Sequence, residues 1–526
     1  MTDIPILSII VFLPLLGAVC VSFIPGQNKP FIKLVAFLFS FITFLLSVSL
    51  FFLFNPSVGT FQFMEFVPWI SSIGANYSIG IDGISLFLLM LTTFLTSIAI
   101  LYSFRSIGSK VKEFMIFMLF LNTTMLGVFV SLDMLLFYLF WEAMLIPMYF
   151  LIGIWGGERR VYATMKFFLY TMFGSVLMLA AILYIYFMHQ KATGISTFDL
   201  QSLLAYSTAY LPFKTRLFLF LGFAIAFAIK VPLFPFHTWL PDAYTEAPIP
   251  GNLLLAGILV KMGVYGFLRF AIPFFPEVSR DFFYPIGILA VIGIIYGALI
   301  AYVQKDMKKL IAYSSFSQVG FIMLGIFSFT DTGMTGGVLQ MINHGLSISA
   351  LFLLVGMLYD RTGKRGINDF GGLSGSMPVF SAFLLITILS SIGLPGLNGF
   401  VGEFLILLGV FKVNIALTAI ASTGIILSAI YMLWMFQKVS YVTPADREVK
   451  KLPDLSLREI LILVPIILMM FWLGLYPKPF LSRIEPSVKN LITVTAPGHF
   501  VAPVASQFLS DKKIPEKTFL KSLPGK

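Results

Sequence analysis

Apolar runs of bilayer-crossing length recur along this 526-residue chain, and they leave few architectures open. A helix needs about 20 predominantly apolar residues to cross the hydrocarbon core. Such runs lie near 4–24, 30–54, 83–104, 112–131, 133–155, 162–188, 213–245, 248–275, 282–304, 307–329, 333–360, 377–410, 414–438 and 457–475. Backbone amides at that depth find no water, so segments of this kind form helices, not open sheets. The expected fold is an all-α polytopic membrane protein with about fourteen transmembrane helices in a single membrane domain, 1–526. Its longest connections are 55–82, 189–212 and 439–456, with a polar tail from about 476.

Composition supports that class, since charged residues are only 11% where soluble domains carry about a quarter. The start, "MTDIPILSIIVFLPLLGAVCVSFIP", lacks a basic leader and reads as a retained first span, not a signal peptide. Cys20 is the single cysteine, which excludes a disulfide framework and a self-contained iron–sulfur cluster. His189, His237, His344 and His499 lack metal-ligand spacing, and no phosphate-cradling glycine motif occurs. No metal, nucleotide or redox cofactor is therefore expected in this chain.

The net charge of +11 does not point to nucleic acid, because the cations sit mostly in short connections and the tail. Odd-numbered loops hold nineteen Lys and Arg; even-numbered loops hold six, Lys191, Lys214, Arg216, Arg269, Arg280 and Lys412. The positive-inside rule then places odd loops in the cytoplasm and both termini outside. Eight basic residues in the tail pull the other way. The loop asymmetry decides, because the tail follows the last span.

That count leaves two lysines over, Lys230 and Lys261, and two acids lie clearly inside spans, Glu142 and Glu403. Each costs ~2.5–3.5 kcal/mol at a helix centre, so four cost on the order of 10 kcal/mol. The structural alternative is an ion pair, or a long side chain reaching the interface. A carboxylate cannot reach far, so Glu142 needs a partner or a proton. Asp133, at a span edge, reads as an ordinary solvated carboxylate.

Lys230 lies in "FAIKVPLFPFHTWLPDAYTEAP", where Pro232 and Pro235 withhold amide donors from the Ala228 and Val231 carbonyls. The run "FLLITILSSIGLPGLNGFVGEFLILLGVF" is broken likewise, Pro395 freeing the Ser391 carbonyl amid Gly393, Gly396, Gly399 and Gly402. Placing K-V-P on G-L-P sets the breaks 163 residues apart. Five spans per repeat would invert the halves, and paired interruptions mark a transporter site near the midplane. The expected division is three helices over 4–111, repeats over 112–275 and 282–438, a last helix over 457–475, and the tail 476–526. His344 in "QMINHGLSISALFLL" and His237 are candidate proton relays, or alternatively hydrogen-bonded core groups.

From about residue 80 to 475 the chain resembles the antiporter-like membrane subunits of respiratory complex I. The segments that carry this are "FWEAMLIPMYFLIGIWGG", "KVPLFPFHTWLPDAYTEAP", "LLAGILVKMGVYGFLRF", "AYSSFSQVGFIMLG" and "GLPGLNGFVGEFLIL". The resemblance implies fourteen helices, inverted five-helix repeats, discontinuous seventh and twelfth helices, and one proton-translocating unit of NADH:quinone oxidoreductase. It matches Glu142, Lys230, Lys261 and Glu403 to the family's proton-carrying positions, and His237 and His344 to family histidines. Sister subunits usually carry lysine where Glu403 stands. Gln318 stands where some members carry histidine, and it cannot titrate. NADH, flavin, iron–sulfur clusters and quinone are implied for other subunits. The partners implied are sister antiporter-like subunits, a long lateral helix and the lipids of a bacterial plasma membrane. Rival expectations are a Mrp-type sodium/proton antiporter, a hydrogenase or ferredoxin-linked relative, and a scaffold with buried ion pairs.

Overall fold

A computed structural model describes residues 4–442 and 452–496. Residues 1–3, Arg447, Lys450 and Lys451 of the last long connection, and the tail beyond 496 with His499 lie outside the described residues. The chain is a multi-pass membrane protein. Among the described residues, twelve helices are long and apolar enough to cross a bilayer. They are Ile6–Phe23, Lys29–Leu53, Gly83–Ser106, Val111–Val130, Met134–Trp155, Arg160–Thr193, Ile249–Phe274, Phe283–Tyr302, Met307–Ile326, Asp331–Thr362, Ile415–Ser440 and Leu457–Leu475. The two remaining runs divide, 213–245 into Phe213–Lys230 and Trp239–Glu246, and 377–410 into Pro378–Ser391 and Asn398–Phe411.

Burial sorts these rods into an inner and an outer set. Asp331–Thr362 is buried along its apolar window, flanked by the largely buried Gly83–Ser106, Ile249–Phe274 and Met307–Ile326. Ile6–Phe23, Lys29–Leu53, Arg160–Thr193 and Leu457–Leu475 expose Phe23, Phe52, Phe173 and Leu475, an apolar perimeter suited to lipid. Gly257 and Gly345 bring two inner helices close, since a Cβ on Gly345 would lie 3.0 Å from the Gly257 carbonyl oxygen. That approach sets Lys261 opposite His344.

Each interruption keeps a backbone hydrogen bond across it. The Ala228 carbonyl, expected to be freed by Pro232, instead accepts the Leu233 N–H at 2.8 Å. The chain turns wide enough to skip the proline and donate from the next residue. Leu394 N–H closes the second break in the same way on the Leu389 carbonyl, 3.0 Å. The Ser391 carbonyl accepts Gln318 Nε2 at 3.2 Å. Gly393 adopts φ +75°, a conformation that favours glycine.

The connections hold more structure than their sequence suggests. Residues 55–82 contain an antiparallel hairpin, Gln62–Ile70 with Ala75–Ile81. Its Glu65 carboxylate accepts Leu7 N–H at 2.8 Å, satisfying a free amide at the start of Ile6–Phe23. Part of the expected polar tail is a helix, Lys478–Val494. Its Ser487 hydroxyl oxygen accepts Gly83 N–H at 2.9 Å, at the start of an inner helix.

Candidate functional site

Glu142 sits at a distortion of its helix. Pro147 has no N–H for the Ala143 carbonyl, and the helix pauses at Met144. The groups facing the Glu142 carboxyl are the Ser175 hydroxyl and the Lys230 ammonium, while Glu142 Oε1 is buried without a hydrogen-bond partner. Lys230 ends the Phe213–Lys230 helix and is 1% exposed. Its Nζ also lacks a hydrogen-bond partner, and lies 5.4 Å from the Trp141 ring centroid and 5.5 Å from that of Phe167. The two charges act on each other, yet no ion pair within 4.0 Å joins them among the described residues. They are poised rather than locked.

Lys261 is fully buried in Val260–Gly266, a helical segment bounded on both sides by π-helical turns, Leu255–Leu259 and Phe267–Ala271. Such wide turns free carbonyls inside an otherwise closed ladder. Lys261 Nζ donates to the Ala256 carbonyl at 2.5 Å and lies 2.7 Å from His344 Nδ1. With the amine as donor, Nδ1 accepts, so the histidine proton is assigned to Nε2. That Nε2 has no protein partner. His344 borders a cavity of about 10 Å³, close to the room one water needs, lined also by Gln318, Gln340, Asn343, Ser347 and Ser390. Beyond it, Gln318 faces the carboxyl of Glu403, a residue 2% exposed on Asn398–Phe411. Polar side chains thus run from Lys261 through His344 and the cavity to Glu403.

Several of these groups escape a reading based on charge alone. Gln340, Asn343, His344 and Ser347 recur at helical spacing, a polar stripe inside an apolar run. Ser390 Oγ lies 2.7 Å from Ser347 Oγ and donates to Asn398 Oδ1 at 2.5 Å. Both come from "SSIGLPGLN", read only as a break. Among the described residues no hydrogen bond or ion pair links Lys230 directly to Lys261. His237 stands apart from this line, stacked on Phe316 with centroids 4.4 Å apart.

Two expectations are corrected. Asp133 is not a solvated edge carboxylate but a buried helix cap, 1% exposed, accepting Leu135 N–H at 3.0 Å, Leu136 N–H at 3.1 Å and Asn76 N–H at 3.0 Å. Burial pushes its carboxyl up to about 6 against the pull of those donors. Arg269 is not a loop charge. It lies in a π-helical turn, paired with Asp82 at 2.7 Å, and Arg269 Nε donates to Tyr265 Oη at 3.1 Å. A buried acid needed a counter-charge there, which a loop count cannot register.

Residues 131–430 match the family described as NADH:quinone oxidoreductase/Mrp antiporter, transmembrane. The chain belongs to that family. Within the family, NADH-quinone oxidoreductase subunit M of Rickettsia typhi is 45% identical over 498 residues, covering 94% of this chain and 99% of that one. NADH-ubiquinone oxidoreductase chain 4 of Marchantia polymorpha is 44% identical over 487 residues, covering 92% and 97%. A solved structure titled respiratory complex I from Thermus thermophilus with bound NADH contains a similar chain. That chain is 34% identical with a TM-score of 0.84, and the match covers 93% of this chain and all of that one. The family match spans the candidate site from Glu142 to Glu403.

Proposed function

We propose that this chain is the subunit M-like, proton-translocating unit of an NADH:quinone oxidoreductase in a bacterial plasma membrane. Redox energy released in other subunits, which carry NADH, flavin, iron–sulfur clusters and quinone, alters the Glu142–Lys230 interaction. As Lys230 loses its counter-charge it releases a proton, which passes through water to Lys261, then by His344 and the Gln318-lined cavity to Glu403 and outward. The observation that carries this reading is the bridge from Lys261 to Glu403, with a 2.7 Å lysine–histidine contact at its head. Buried polar atoms along it, His344 Nε2, Gln318 Oε1 and Glu403 Oε1, lack protein partners, which is the condition for an ordered water to bind.

In this reading the two divided runs complete fourteen crossings, and inverted repeats cover 112–275 and 282–438 after three N-terminal helices over 4–111. The last helix spans 457–475 and the tail runs over 476–526. Odd loops face the cytoplasm and both termini lie outside. Sister antiporter-like subunits and a lateral helix cover part of the perimeter. His237 is a lesser relay on the first repeat.

The deciding experiment replaces Lys230 with Ala in the assembled complex and follows proton pumping beside NADH oxidation. Pumping is expected to collapse while the complex assembles; normal pumping refutes the proposal. A sodium/proton antiporter reading predicts instead that sodium moves with oxidation.

A further inference from the structure

Lys230 poses a problem that the Glu142 interaction does not solve. Its ammonium is buried, has no hydrogen-bond acceptor, and has no carboxylate within 4.0 Å among the described residues. An unsupported buried cation is costly. What lies against it is aromatic: Trp141 at 5.4 Å and Phe167 at 5.5 Å, both inside the range where a ring face attracts a cation.

We infer that Trp141 and Phe167 form an aromatic seat for the Lys230 ammonium, and that both rings are positioning residues for proton transfer through it. The inference rests on the reading of Lys230 as a proton carrier. Both rings are held from outside. Trp141 packs on Phe137 and Phe227, with centroids 5.5 Å away in each case. Phe167, fully buried, packs on Trp239 at 5.2 Å. Trp239 Nε1 in turn donates to the Ile229 carbonyl at 2.8 Å, one residue before the lysine. The seat is therefore built from three segments, Met134–Trp155, Arg160–Thr193 and Trp239–Glu246, that close on the end of Phe213–Lys230.

A ring differs from a carboxylate in what it can do. Its quadrupole attracts the ammonium, offers little to a neutral amine, and cannot take the proton. The seat holds the charged lysine without competing for its proton. Glu142 is the partner that varies; the rings are the support that keeps the ammonium in place while it does.

The test is a series at position 167 in the intact complex, with mono-, di- and trifluorinated phenylalanine, which nearly keep the ring's size while draining its negative face. Pumping per NADH oxidised is expected to fall stepwise, by roughly tenfold at the trifluorinated end. Phe167→Leu is expected to match the trifluorinated variant, and Phe167→Tyr, which returns a ring face, to pump more than Phe167→Leu. An assembled fluorinated series that pumps like the wild type overturns the seat, even if Phe167→Leu fails to assemble. Lys230→Ala separates the two claims. If it abolishes pumping while the fluorinated series is flat, the seat alone is wrong; if it pumps normally, the proton-carrier reading fails and the seat with it.

Discussion

Replacing His344 with Leu removes one of two partners of a fully buried amine. Lys261 Nζ keeps the Ala256 carbonyl at 2.5 Å and loses Nδ1 at 2.7 Å, with no other side chain in hydrogen-bond contact. A hydrogen bond to a charged group contributes ~1.5–3 kcal/mol, so the protonated state of Lys261 is disfavoured by about 10- to 150-fold. The same substitution puts an apolar side chain beside the cavity and removes the ring N–H assigned to Nε2. Proton transfer between Lys261 and Glu403 should slow by at least the lower of those factors. His344→Gln returns an oxygen acceptor of similar reach and should recover most of the loss. The assay is dye-reported proton uptake by complex in sealed vesicles, with NADH oxidation recorded in the same sample. Equal pumping by the Leu and Gln variants, at wild-type assembly, would refute the assignment of His344 to the path.

Gly393→Ala should reduce assembly or pumping, because residue 393 has φ +75° and a Cβ there collides with Glu403 Oε2. The backbone share is roughly 1–2 kcal/mol, read as a lower melting temperature of the purified complex. Asp133 should leave a pH signature. Its folded carboxyl stands near 6 against 3.8 for the free group, so the native state binds that proton more tightly than the unfolded chain. Its stabilising share is present below about pH 4 and is lost as pH rises to about 6, on the order of 3 kcal/mol in all. Melting temperatures across that window should lose the corresponding slope in Asp133→Asn. Neutralising Glu142 and Lys230 together, as Gln and Met, should abolish pumping with assembly intact; retained pumping would favour a purely structural role for the pair.

The helices were legible because a lipid solvent leaves the backbone one solution, and run length reports it directly. The breaks were legible for the same reason: proline at Pro232 and Pro395 cannot continue a ladder. Charged candidates stood out because insertion is costly, so Glu142, Lys230, Lys261 and Glu403 were singled out by elimination. Uncharged ones carry no such penalty signal. Gln340, Asn343, Ser390 and Asn398 matter through mutual geometry, and only folding brings 343 beside 398, where Asn343 Nδ2 donates to the Asn398 carbonyl at 2.8 Å. The hairpin at 62–81 and the helix at 478–494 were missed because neither is long and apolar. Each is held by docking, as at Glu65 on Leu7 and Ser487 on Gly83.

The bonds that close each interruption have a consequence for where solvent can go. Because Leu233 and Leu394 cap the carbonyls of Ala228 and Leu389, those two carbonyls stay paired within the chain. Water beside them is recruited by side chains, and side chains can let it go. Drying the route therefore takes a few substitutions such as Gln318 to Leu, with both kinks left as they are.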